Sequence, residues 1–193
     1  RATRAAFATA ELTLLLQALT TGLHCPFSSS AGRLFEAVAS LLDLVQRRSY
    51  EGQGGLLLQG AAAAALTRGD APPYPMPLLQ APAGQGVQHW WDWQPLLHAL
   101  LADAAAGVDP GVCALRFHRA WLPAVVAWVL QQPPLPVVLC GGCFQNRLLL
   151  ESTITALRQV GRQPLWAQQL PPGDGGLALG QLLAVRLQQL CSG

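Results

Sequence analysis

Two glycine-bearing stretches hold the residue types with most scope for chemistry. The first, Pro136-Val-Val-Leu-Cys-Gly-Gly-Cys-Phe-Gln-Asn146, is a short β-branched apolar run, then two glycines, then a polar pair opening the amphipathic segment Arg147 to Val160. That is the strand, tight turn, helix order of a nucleotide cradle. With no Cβ at Gly141 or Gly142, backbone N–H groups and the positive end of the following helix can face an anion directly. The same order also describes an ordinary βα turn, so spacing alone leaves both readings open. The second stretch, Pro171-Pro-Gly-Asp-Gly-Gly176, leads into the apolar segment Leu177 to Leu190. There Asp174 reads as a turn or N-cap residue, favourably placed against a helix dipole.

Other reactive residues carry weaker signals. Cys140-Gly-Gly-Cys143 is formally a Cys-x-x-Cys, but redox and zinc readings need a thioredoxin context or a second ligand pair, and neither is present. His24-Cys25 lacks a second pair at coordinating spacing and reads as a loop. His118, after Phe117 within an apolar helix, reads as a buried, hydrogen-bonded imidazole. Trp90, Trp91 and Trp93 have no basic residues beside them to track a nucleic-acid backbone, so packing is the simpler role.

The elements that must position these groups follow from periodicity. Helices are expected over Arg4 to Leu19, over Ala31 to Gln46 with Ser28 to Ser30 as caps, and from Tyr50 through Ala65, whose alanines suit close helix contact. In the second of these, Leu34, Val38, Leu41, Leu42 and Val45 make an apolar face, and Glu36 lies one turn after Gly32. Tyr74 to Gln80 and Gly84 to Trp93 read as a hairpin or irregular edge. Two helices follow, Gln94 to Ala106 and Asp109 to Leu130, the latter bent near Pro123. A second strand is expected within Arg162 to Gln168, completing a helix-rich α/β lobe.

Composition removes several classes of function. The chain has 193 residues, of which 51% are hydrophobic and 11% charged, with a net charge of +2. That is enough apolar material for a core, as one compact domain or one lobe of a two-lobed domain, and neither nucleic acid nor a membrane surface is expected as a partner. All twelve basic residues are arginines. A Walker-type phosphate lysine, a Schiff base and a lysine general base are therefore absent from this chain. Five scattered cysteines, an odd number, do not form a disulfide framework and fit a reducing cytoplasm. No apolar run reaches the roughly 18 to 20 residues that span a bilayer. The chain starts at Arg1 without a signal-peptide pattern and is expected to begin inside a longer protein.

Four blocks in register carry a resemblance. Cys140 to Glu151 resembles the Ser-Gly-Gly-Val-Phe-Gln-Asn-Arg-Leu-Leu signature of HypF-type carbamoyltransferases, the hydrogenase maturation enzymes. Pro26-Phe-Ser-Ser-Ser-Ala-Gly-Arg-Leu-Phe-Glu-Ala-Val38 is similar to the family's Thr-Ser-Ser-Ala-Gly-Arg-Leu-Phe-Asp-Ala-Val. Tyr50-Glu-Gly-Gln53 matches its Tyr-Glu-Gly-Gln, and Pro172 to Gln181 its Pro-Asn-Asp-Gly-Gly-Leu-Ala-Leu-Gly-Gln.

The resemblance implies the C-terminal part of the family's carbamoyl-transfer domain, a relative of the tRNA threonylcarbamoyl-adenosine synthases. Its fold would be the C-terminal lobe of an actin/hexokinase-like ATPase. It further implies ATP and carbamoyl-adenylate binding, with Gly141, Gly142 and Asn146 on the phosphate and nucleoside side and Gly32 and Glu36 at the ribose. Asp174 would bind a divalent metal, magnesium or iron, whose histidine ligands lie in the first lobe. Carbamoyl phosphate and ATP would be substrates of the whole enzyme, and the acceptor a HypE-like protein whose C-terminal cysteine takes the carbamoyl group. The sequence departs from the pattern at Cys140, Cys143, Glu36 and Gly173. A scaffold or inactive fragment, or another enzyme of the ATPase superfamily such as a small-molecule kinase, are the alternatives.

Overall fold

The computed structural model describes residues 2–81 and 88–191. Eight helices and four short strands follow one another: α1 (Ala2–Ala5), α2 (Thr9–Thr21), α3 (Ala31–Leu41), α4 (Gln53–Ala64), β1 (Leu78–Gln80), β2 (His89–Trp91), α5 (Gln94–Ala105), α6 (Pro110–Leu130), β3 (Val137–Leu139), α7 (Arg147–Gln159), β4 (Pro164–Trp166) and α8 (Leu177–Cys191). Short 3-10 turns, Gly142–Gln145 and Asp174–Gly176, precede α7 and α8. The chain groups into two compact units. One holds the residues up to Tyr74 with Leu96–Phe117, the other Pro75–Pro95 with the residues from His118 onward, so α6 contributes to both.

In the first unit α3 packs on α4. Phe35, Val38, Ala39 and Leu42 of the α3 region are buried, as are Leu58 and Ala62 of α4. The expected apolar face was therefore partly misplaced, because Leu41 is exposed and Phe35 and Ala39 take the contact. The contact is close because α4 presents Gly54, where an added Cβ would lie 3.2 Å from the Glu36 Cα and 3.4 Å from the Ala39 Cβ. Phe35 meets Phe117 edge-on at 4.8 Å. A polar clamp ties the segment before β1 to α5 and α6. The Tyr74 hydroxyl donates to Asp103 at 2.6 Å, and Arg116 pairs with Asp103, donates to the Pro72 carbonyl and covers the Tyr74 ring. Burial and then the Asp103 contact push the Tyr74 hydroxyl far above its ordinary range, so it stays a proton donor.

In the second unit β3 and β4 pair in parallel, Val137 opposite Pro164 and Leu139 opposite Trp166, with α7 as the crossover. Val129, Leu139, Ile154 and Leu157 form its core, flanked by Val125, Val137, Phe144, Leu150 and Trp166. Arg162 staples the strand to the end of α6, donating to the carbonyls of Val129, Gln132 and Pro133 at 2.8–3.1 Å. Val129 lies in the last turn of α6, where carbonyls lack i+4 partners within the helix, and Gln132 and Pro133 belong to the segment that follows it. β1 and β2 form the expected antiparallel hairpin, although residues 82–87 of its loop lie outside the described set.

Several boundaries move for local reasons. The first expected helix divides into α1 and α2. α3 stops at Leu41 rather than running to Gln46: Asp43 takes a positive φ of 58°, and the Gln46 side chain turns back to donate to the Ser40 carbonyl at 2.9 Å. Ser30 is the N-cap residue of α3 but makes no side-chain cap bond; its N–H is instead accepted by the Ser28 hydroxyl. α4 starts at Gln53 rather than Tyr50, after Gly52 at φ 81°. Of the three tryptophans, only Trp91 packs as expected. It meets Trp121 edge-on at 5.9 Å and donates to the Ala124 carbonyl, while Trp90 and Trp93 are exposed.

Candidate functional site

β3 ends at Leu139 and the chain turns at Cys140-Gly141-Gly142 into the 3-10 turn and α7. Gly141 has a φ of 99°, a conformation that side chains with a Cβ rarely adopt, so glycine is conformationally required there. Gly142 differs. Its φ is not in the left-handed region, and an added Cβ would meet nothing within 4 Å. Neither the backbone conformation nor a protein neighbour demands glycine at that position.

The turn is held from both sides. The Gly141 N–H donates to the Pro172 carbonyl at 2.6 Å, which draws the second glycine stretch onto the first. Gly173 lies against this turn, and a Cβ on it would sit 3.4 Å from the Gly142 N and Cα and from the Gln145 Nε2. Within the turn, the Phe144 N–H donates to Gly141 and the Asn146 N–H to Cys143. The N–H groups of Gly142 and Cys143 make no backbone hydrogen bond among the described residues. Two uncommitted donors at the C-terminal end of a parallel strand, ahead of a helix N-terminus, suit an anionic group.

Asn146 joins the turn to α7. Its Oδ1 accepts from the Leu149 N–H at 3.0 Å as an N-cap, and its Nδ2 lies 2.8 Å from His118 Nε2. His118 is 3% exposed, so the expected buried and hydrogen-bonded imidazole is present, with a candidate site residue as its partner. Asp174 is exposed and is the first residue of the 3-10 turn ahead of α8; the N-cap position expected of it falls to Gly173, which has no side chain to cap with. Gly141, Gly142, Asn146 and Asp174 thus belong to one unit and share two adjoining turns.

Gly32 and Glu36 lie one turn apart on α3, in the other unit. The Glu36 carboxylate accepts from Arg33 at 3.1 Å and from Arg48 at 2.9 Å. Among the described residues no three His, Cys, Asp or Glu side chains gather closely enough to hold a metal ion. Cys25, Cys113, Cys140 and Cys143 are free, and burial pushes the half-buried Cys143 thiol up. A groove of about 500 Å³ lies at the opposite end of the strands, between Leu130, Pro134 to Pro136 and Val160 to Gln163. Its lining mixes apolar side chains with polar groups, and its arginine is committed to the carbonyls of Val129, Gln132 and Pro133.

Sequence reasoning missed one residue and one pairing here. Gln145, the exposed last residue of the first 3-10 turn, has its Nε2 3.4 Å from where a Cβ on Gly173 would sit, and its place directly before Asn146 in the polar pair was the available signal. The pairing of His118 with Asn146 spans 28 positions and leaves no local trace. No helix among the described residues is long and apolar enough to cross a membrane.

Comparison with known proteins agrees with the geometry. Residues 1–181 match the family model described as carbamoyltransferase, Kae1-like domain, second subdomain. Carbamoyltransferase HypF of a Synechocystis strain is 38% identical over 161 residues, covering 83% of this chain and 20% of that protein. A HypF homolog of Cupriavidus necator is 34% identical, covering 82% and 41% respectively. A crystal structure of full-length HypF in the phosphate- and nucleotide-bound form superposes with a TM-score of 0.78 at 26% identity, over 90% of this chain and 27% of that one. The fold is accordingly a helix-rich α/β lobe of the actin/hexokinase-like type. The chain spans about a fifth of the length of the first two curated relatives it matches. With the family model covering most of the chain and the four sequence blocks in register, this chain belongs to the HypF-type carbamoyltransferases, as the second subdomain of their Kae1-like domain.

Proposed function

We propose that this chain supplies the nucleotide-holding part of an ATP-dependent carbamoyltransferase of hydrogenase maturation, working in a reducing cytoplasm. The observation that carries the reading is Gly142, where the fold does not ask for glycine yet leaves open space beside uncommitted backbone N–H groups. A close approach by a ligand's phosphate accounts for both features. The nucleotide carried by the matching HypF crystal structure supports it.

Gly141, Gly142 and Asn146 hold the phosphate and nucleoside side of ATP or carbamoyl-adenylate, and Gly32 and Glu36 are ribose contacts on α3. In the transfer step the thiolate of a HypE-like acceptor's C-terminal cysteine attacks the carbamoyl carbon. A C–S bond forms, the bond from that carbon to the phosphate oxygen breaks, and AMP leaves with the electron pair. The nucleophile comes from the acceptor, so the free cysteines of this chain are not required. Asp174 would be this chain's ligand to a divalent metal whose histidine ligands lie in the first lobe.

Calorimetric titration with Mg-ATP tests the reading. The unsubstituted protein should bind and Gly142→Arg, which fills the turn, should not. Equal binding by both forms would remove the site from the glycine turn.

A further inference from the structure

We propose that His118 is a positioning residue for this site, acting through Asn146; the inference rests on the nucleotide reading above. The hydrogen bonds themselves determine the chemistry of the pair. Oδ1 of Asn146 is identified by the Leu149 N–H it accepts, so the group facing His118 is the Nδ2 amide, a donor. His118 Nε2 must therefore be the acceptor, which makes the imidazole neutral with its proton on Nδ1. An Asn side chain with only a helix to cap could turn about its terminal torsion. With His118 taking one Nδ2 hydrogen, that rotation is closed.

Two parts of the turn depend on this orientation. The Asn146 backbone N–H closes the 3-10 turn onto Cys143, while its side chain caps α7. Fixing Asn146 therefore fixes the end of the turn and the start of the helix together. An amide nitrogen carries two hydrogens, and His118 takes one; the second is available to an acceptor on the ligand. His118 touches no ligand in this scheme. It is the fully buried anchor in mid-α6 that keeps the exposed cradle in its binding geometry, which is how a second layer of hydrogen bonds supports a site.

The test uses the protein at its full encoded length and three variants. His118→Leu keeps approximate volume but removes the acceptor; His118→Gln offers an amide oxygen in its place; Gly142→Arg reports which share of Mg-ATP binding belongs to this turn. We expect His118→Leu to weaken that share about tenfold, the loss associated with one hydrogen bond. We also expect it to speed hydrogen exchange in the peptide spanning Asn146 to Leu150. His118→Gln should recover both. Unchanged exchange and binding in His118→Leu would overturn the inference even where Gly142→Arg abolishes binding. Binding that Gly142→Arg leaves intact would defeat the nucleotide reading instead, and the exchange result would still decide whether His118 holds the turn. Histidine-selective nitrogen NMR of the unsubstituted protein needs no variant to fold: a protonated Nε2 on His118 at neutral pH would refute the assignment.

Discussion

Gly54 and Gly142 occupy opposite situations. At Gly54 the space a side chain would need is already filled by α3, so glycine there serves helix contact. At Gly142 the space is empty, as it also is at Gly60 and Gly180; what sets Gly142 apart is that its own N–H and that of Cys143 make no backbone hydrogen bond among the described residues. What would collide with an added Cβ thus separates a glycine that packing requires from one that it does not.

The largest expected effect is at the packed position. Gly54→Leu drives carbon into the Glu36 backbone and should cost about 1–3 kcal/mol in urea unfolding, as overpacking does. A neutral result would break the comparison from that side. Asn146→Ala comes next, losing a helix cap and leaving the His118 acceptor without its partner, for about 1–2 kcal/mol. Gly142→Ala should fall within about 0.5 kcal/mol of the parent in the same unfolding measurement, while still reducing Mg-ATP affinity. A large stability loss there would show that the fold, not a ligand, requires that glycine.

The smallest effect concerns protons. Burial raises the Cys143 thiol above its ordinary value of 9.0, so at neutral pH Cys143 should label more slowly than exposed Cys140, read by mass spectrometry after timed alkylation. The sign follows from the folded state favouring the neutral thiol. Its contribution to stability is complete below about pH 9 and declines as pH rises through the folded value. Faster labelling of Cys143 than of Cys140 would contradict this placement.

Much of this was legible in the sequence. The β3, glycine turn, α7 order is local: β-branched residues extend, glycines turn, and a polar pair opens the helix, although the capping by Asn146 emerges only from the structure. The strand expected over Arg162 to Gln168 is present as β4, shorter at Pro164–Trp166. What was illegible depended on distant atoms. Gln46 ends α3 by folding onto Ser40, and the exposure of Leu41 follows from which face α4 covers. Glu36 read as a ribose ligand by resemblance; its i,i+3 neighbour Arg33 is local, but its second partner Arg48, twelve positions on, emerges only in three dimensions. The same limit hid the partner of His118.

The β3–α7–β4 unit has a kinetic consequence. Its paired strands lie within thirty residues of each other, from Val137 to Trp166, and its helix bridges them directly. Short loops close with little entropy loss, and chains dominated by near-neighbour contacts fold quickly. The glycine turn therefore sits in a segment whose strands and helix can assemble from their own near-neighbour contacts. The Tyr74 clamp draws on a separate stretch, with Asp103 lying 29 positions on and Arg116 13 beyond it. Damage to the clamp would leave the contacts of the β3–α7–β4 unit in place.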